Sequence, residues 1–174
     1  MDTIEERWVD VPDAPAIEGL RFRCYAGEQD IPGLAEVIRA ANAANGESEY
    51  VSEDYLRSQV VNFSHYPPQE ARLLAEVDGR IVACSEYEHA DTTAGRRDFR
   101  SFGHVHPAWR RRGIGAAMSA WNEARLLDIA ARQQHPGGAA LTTWIEEADV
   151  GATALVEARV PYRLVDGVLI PRED

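Results

Sequence analysis

The segment "DFRSFGHVHPAWRRRGIGAAMSAW", residues 98–121, constrains this chain more than any other. An alternating, β-leaning run reaches Val105-His106, and Pro107 then removes a ladder donor and stops it. Three arginines, two glycines and a row of helix formers follow. The pattern predicts a strand over 98–106, a turn, and a helix opening at about Gly113. The start of a helix presents backbone N–H groups without intrahelical partners, and the dipole adds partial positive charge there. Gly113 and Gly115 would let the backbone approach a bulky anion that side chains would obstruct. An arginine-rich cap with no ligand is the plainer alternative. It is disfavoured because exposed cations at a helix start oppose the dipole by about 0.3–1 kcal/mol each, a penalty that an anion removes.

Two other phosphate motifs fail on this stretch. A Walker-type loop needs lysine, and the chain has none: all 18 cationic side chains are arginine. A dinucleotide fingerprint needs a small residue where Met118 stands. Six arginines (Arg96, Arg97, Arg100, Arg110, Arg111 and Arg112) fall within residues 96–112, so one sector of an acidic protein is expected to be locally positive. The net charge of −11 argues against a nucleic-acid binder. No lysine means no Schiff-base chemistry on this chain. Cys24 and Cys84 lack metal-ligand or disulfide-framework spacing and read as two reduced thiols. No apolar run reaches eighteen residues and the first twenty resemble no signal peptide, so a cytoplasmic location away from any membrane is expected.

The remaining chain reads as a loose leader, residues 1–18, followed by a single folding unit, 19–174. A strand is expected over 20–26, a helix over 28–46 with Gly46 as its stop, and a second helix capped by Ser52. Residues 71–89 form two strand-like runs joined by Asp78-Gly79, the strongest hairpin signal present, and Asp166-Gly167 repeats it near the end. The long helix after the turn shows Ile114, Ala117, Met118, Trp121, Ala124, Asp128 and Ala131 at helical spacing, as expected for packing on a sheet. A strand over 139–147 and a short helix capped by Asp149 complete the order β-α-α-β-β-β-α-β-α-β-β. Its central strands are too closely connected to be all parallel, so the fold class is α/β with a mixed sheet flanked by helices.

The run "V-H-P-A-W-R-R-R-G-I-G-A" resembles motif A of the GNAT superfamily of acyl-CoA-dependent N-acyltransferases, Gln/Arg-x-x-Gly-x-Gly/Ala, and the element order matches over roughly residues 19–170. Within that superfamily the chain looks most like one module of a tandem protein, standing alone. A homodimer would replace the missing half; a reduced descendant is the other option. The resemblance implies acetyl-CoA as co-substrate and no metal. It implies a diphosphate on the turn, at Arg110, Arg111, Arg112, Gly113, Ile114, Gly115 and Ala116. It also implies a pantetheine arm paired like an extra strand with Gly103, His104 and Val105, and a cofactor contact from Asp149, where many members carry Asn. The tyrosine that protonates the departing thiolate in many members is replaced by Val156; Tyr162 is the nearest substitute, though a strand-start tyrosine packed on the core is the favoured reading of it.

The reaction so implied is direct attack of a primary amine of a small molecule or peptide on a thioester, with a backbone N–H on the carbonyl oxygen and a base or water chain taking one proton. Candidate bases are Glu86, Glu88 and His104; His106 reads as satisfying its own loop. Each has a plainer alternative, a wet sheet face for the glutamates and a packed ring for the histidine. The acids of residues 45–54 would suit a cationic acceptor in the cleft that the first two helices help to form in this superfamily, though a solvated loop explains them equally well. A degenerate domain that binds acyl-CoA as a sensor or interaction module is the alternative function, and an interaction domain without any cofactor is a third.

Overall fold

The computed structural model describes residues 7–47, 51–62, 66–143, 145, 149–159, 162–165 and 168–171. The chain divides into two compact units, residues 1–143 and 144–174. In the first, a six-stranded sheet runs in sequence order: β1 (Trp8–Val9), β2 (Leu20–Cys24), β3 (Arg72–Val77), β4 (Arg80–Asp91), β5 (Arg97–Val105) and β6 (Ala139–Thr142). All neighbours are antiparallel except β5 and β6, which are parallel as their connection through a helix requires. The mixed sheet is thus as the connection lengths demand.

Asp78 and Gly79, both with positive φ of 50° and 80°, make the two-residue turn between β3 and β4. A one-residue register shift follows between Ala75 and Glu76, so Ala83 rather than Val82 lies opposite Ala75. This bulge decides which side chains of β4 meet β3 at the functional end of the hairpin.

Two apolar clusters cover the two faces. On one, Phe22, Leu73, Ala83, Tyr87 and Phe99 pack under α4 (Ile114–Gln133). On the other, Leu74, Ile81 and Cys84 pack under α1 (Ile31–Asn45) and α2 (Glu53–Asn62). Burying Ile114, Met118 and Leu126 of α4 contributes about 1.5–3 kcal/mol each. The buried stripe differs from the one its spacing predicts. Ala124, Asp128 and Ala131 are exposed, whereas Asn122 and Leu126 are buried and Ile129 and Ala130 partly so. The contact line therefore slews round the helix as it crosses a twisted sheet, and a fixed period cannot follow it.

α1 begins with a 3-10 turn over Glu28–Asp30 and ends at Gly46 in the left-handed conformation, φ 77°. A buried ion cluster seats its start. Arg23 of β2 forks onto Asp30 at 2.7 and 2.9 Å and reaches Glu76 of β3 at 2.8 Å, while Asp30 also accepts from the N–H of Ala26 at 2.7 Å. Burial alone would lower the pKa of Arg23, but the hydrogen bonds and charges of the two carboxylates outweigh it and raise it. Ser52 caps α2 as expected, accepting from the N–H of Tyr55 at 3.1 Å.

Two elements had no sequence signal: the two-residue strand β1 inside residues 1–18, and the four-residue helix α3 (Pro68–Ala71). Both are shorter than any period can register. β6 ends at Thr142, short of the expected 139–147, and Trp144 and residues 146–148 lie outside the described residues. In the second unit, α5 (Val150–Arg159) is capped by Asp149, whose Oδ1 accepts from Ala152 N–H at 2.8 Å. There β7 (Tyr162–Val165) pairs antiparallel with β8 (Val168–Pro171), the hairpin that Asp166-Gly167 predicts, although these two residues lie outside the described set.

Candidate functional site

The strand-turn-helix forms where expected. β5 ends at Val105, a 3-10 turn covers Pro107–Trp109, and α4 opens at Ile114. His106 satisfies its own loop, its Nδ1 accepting from the N–H of Ala108 at 3.2 Å. Between turn and helix the backbone enters the left-handed region twice, at Arg111 (φ 61°) and at Gly113 (φ 90°). For glycine this is unstrained; for arginine it costs on the order of 1–2 kcal/mol, the kind of local strain that collects at ligand-holding turns. No side chain caps α4 at Gly113, whose C=O accepts from Ala117 N–H at 3.0 Å. The N–H groups of Ile114 and Gly115 thus lie ahead of that bond.

The positive sector is smaller than the arginine count suggests. Arg96 pairs with Asp98 at 2.8 Å, Arg97 with both oxygens of Asp91 at 2.7 and 3.0 Å, and Arg100 with Glu88 at 3.7 Å. Arg111 and Arg112 are exposed, the latter stacked 4.7 Å from the Trp109 ring centroid. Arg110 turns inward: Nε donates to Val105 C=O at 3.1 Å, Nη1 to Asn45 Oδ1 at 2.9 Å and Nη2 to Ala41 C=O at 3.3 Å.

Beside this turn, β5 has an edge that, among the described residues, is only partly paired. The N–H of His106 bonds Val82 C=O at 2.9 Å, so the pair Cys84 and His104, two residues along each strand, shares that hydrogen-bonded register. The backbone groups of Ser101, Gly103 and Val105 consequently face the other way. Ser101 C=O accepts from Thr143 Oγ1 at 2.9 Å, confirming the direction. Pairing with β6 runs only from Arg97–Ala139 to Arg100–Thr142, so beyond it, among the described residues, the Gly103 edge meets no strand. An amide-bearing chain fits such an edge. Gly103 also permits close packing of β4 against β5, since a Cβ there would sit 3.0 Å from Cys84 O and 3.1 Å from Ser85 Cβ.

Glu86, Glu88 and His104 share one face. Cys84 lies in the cluster beneath α1 and α2, and the period of two puts Glu86 and Glu88 on that face with His104, opposite Cys84, next to them. Each glutamate meets an arginine in a pairing that the sequence does not signal. Arg72 Nη2 pairs with Glu86 Oε2 and Arg100 with Glu88. Arg72 owes this position to the bulge: an unbroken two-residue hairpin would set Ala71 opposite Glu86. Opposite charges directly across from each other on neighbouring strands are legible only once the register is known. Asp149 belongs to the second unit, where its carboxylate caps α5; Val156 is half-buried in the same helix. Among the described residues no group of His, Cys, Asp and Glu could hold a metal ion, and no helix is long and apolar enough to cross a membrane.

The architecture is that of GCN5-related N-acetyltransferases. A protein of that description from Sphaerobacter thermophilus superposes with a TM-score of 0.63 at 22% identity, over 90% of this chain and 45% of the other. This chain therefore spans under half the length of that protein. A ribosomal-protein-alanine N-acetyltransferase from Brucella melitensis gives 0.55 at 20% identity, over 79% and 82% of the two chains. The yncA protein of Salmonella typhimurium, solved with its cofactor acetyl-CoA, gives 0.55 at 19% identity over 89% and 88%. No family model and no curated protein matches the chain.

Proposed function

We propose that this protein is an acetyl-CoA-dependent N-acetyltransferase that acts on a primary amine of a small molecule or peptide. The observation that carries the reading is the junction of β5 and α4. A helix start without a side-chain cap, reached through left-handed Arg111 and Gly113, adjoins a strand edge at Gly103 that meets no strand among the described residues. A diphosphate suits the first and an amide-bearing arm the second. Acetyl-CoA has both groups and supplies an acetyl thioester. Two fold neighbours were solved with acetyl-CoA.

In this reading the N–H groups of Gly113, Ile114, Gly115 and Ala116, together with the backbone and charge of Arg111 and Arg112, hold the diphosphate. The Gly103 to Val105 edge aligns the arm, and a backbone N–H of that edge donates to the thioester carbonyl oxygen. Glu86, Glu88 or His104, on the face beneath α1 and α2, takes the amine proton directly or through water. The charge on Glu86 and Glu88 is balanced by Arg72 and Arg100.

Thermal unfolding with coenzyme A, acetyl-CoA, NADH and ATP tests the cofactor. Only the first two should raise the melting temperature, since ligand binding to the folded state stabilises it by mass action. Turnover of acetyl-CoA against an amine panel then tests catalysis. Absence of any shift at millimolar acetyl-CoA would overturn the assignment.

A further inference from the structure

The guanidinium of Arg110 sits at the first position of the glycine-rich turn, yet each of its three nitrogens bonds an oxygen of β5 or α1. Val105 C=O is the end of the open strand; Ala41 C=O and Asn45 Oδ1 belong to the last turns of α1. A cation is favourable there because the carboxyl end of a helix is the negative pole of its dipole. Asn45 continues the chain of bonds, its Nδ2 donating to Glu47 Oε1 at 3.1 Å, and the N–H of Glu47 returns to Asn42 C=O at 2.9 Å. Asn45 thus bridges the turn and the first residue after the helix stop at Gly46.

We infer that Arg110 is a positioning residue. Its side chain does not bind the diphosphate but locks the turn to the carboxyl end of α1, so that occupancy of the turn and the order of residues 41–47 are coupled. This inference rests on the coenzyme A reading. A ligand gripping residues 111–116 fixes the backbone that carries Arg110, and a planar guanidinium held at three oxygens transmits that constraint with little loss of freedom. The receiving end is the last turn of α1 with Gly46 and Glu47. By linkage, anything that orders residues 41–47 raises coenzyme A affinity by the same factor as the reverse.

The test compares Arg110→Gln, Arg110→Lys, Asn45→Ala and the double variant Arg110→Gln/Asn45→Ala, reading coenzyme A affinity by calorimetry at several salt concentrations and amide exchange over residues 41–47. Asn45→Ala should weaken coenzyme A about tenfold although it removes no charge, and Arg110→Gln should do the same. The double variant should bind within about threefold of either single one, the non-additivity of two residues in one network. Arg110→Lys should fail like Arg110→Gln, because an ammonium cannot span three oxygens. The salt dependence should stay that of the wild type, and coenzyme A should slow exchange over 41–47 in the wild type but not in Asn45→Ala.

Wild-type affinity in Asn45→Ala, or rescue by Arg110→Lys with a shallower salt dependence in Arg110→Gln, overturns the coupling and puts the Arg110 charge on the diphosphate. Wild-type protein that binds no coenzyme A overturns the cofactor reading and the coupling with it. Should Arg110→Gln not fold, Asn45→Ala at its half-buried helix end decides alone.

Discussion

Asn122, fully buried on α4, donates from Nδ2 to the hydroxyl of Ser101 on β5 at 2.8 Å, while its Oδ1 has no hydrogen-bond partner among the described residues. Ser101 lies one residue past the last β5–β6 pair and accepts Thr143 Oγ1 at its carbonyl. Helix, strand and the opening edge are therefore tied at one residue. Ser101→Ala should cost about 1–3 kcal/mol by leaving the Asn122 amide wholly unpaired, and Asn122→Ala a similar amount. Urea midpoints check this, and the double variant should cost less than the sum.

Cys84 is buried in the cluster beneath α1, and burial pushes its thiol up to about 12 from an ordinary value of 9.0. A raised folded-state pKa stabilises the protein fully below the unfolded value, and that contribution is lost as pH rises through the folded one. Stability should therefore fall between about pH 9 and about 12. Burial raises Tyr25, Tyr66 and Tyr87 in the same direction, steepening the fall at its alkaline end. Urea unfolding across pH 8–11 should show a flatter decline in Cys84→Ala, a range that roughly brackets thiol and phenol titration. An identical decline in both proteins would remove Cys84 from the explanation.

The two glycines of the turn should separate folding from binding. Gly113 stands at φ 90°, and a Cβ there would lie 3.3 Å from Cβ of Pro15, so Gly113→Ala should lower stability by about 1–2 kcal/mol even without ligand. Gly115 lies within α4, where alanine is favoured by roughly 0.5–1 kcal/mol, so Gly115→Ala should unfold no earlier than wild type. Gly115→Asp should abolish the coenzyme A shift by placing negative charge at the helix start. Melting curves with and without ligand distinguish all three.

The proton carrier is found by turnover. Glu86→Gln, Glu88→Gln and His104→Ala, measured against one good acceptor over about pH 6–9, should include one variant that loses about 10²–10⁴-fold and flattens the acidic limb while still binding coenzyme A. Three near-normal profiles would leave the proton to water alone.

The fold was largely readable because its strongest signals are local. The Asp78-Gly79 hairpin, the Gly46 stop, the Ser52 and Asp149 caps and the break at Pro107 each rest on backbone preferences of a few adjacent residues. β1 and α3 escaped because two and four residues hold no period, and their stability comes from neighbours distant in sequence. The stripe of α4 departs from its sequence period past Trp121 for a related reason, that the sheet's twist is absent from the helix's own sequence.

At the site the division is the same. The sequence by itself determined that a strand, an arginine-glycine turn and a helix meet at residues 98–114, since proline, glycine and apolar period act within that stretch. Only the tertiary structure decided where the charges went. A one-residue bulge set Arg72 rather than Ala71 opposite Glu86, strand pairing gave Arg100 to Glu88, and the packing of α1 beside the turn drew Arg110 to Asn45. A charge–charge or hydrogen-bond partner is chosen by distance in space, and register and helix packing set that distance between residues that the chain keeps 12 to 65 positions apart.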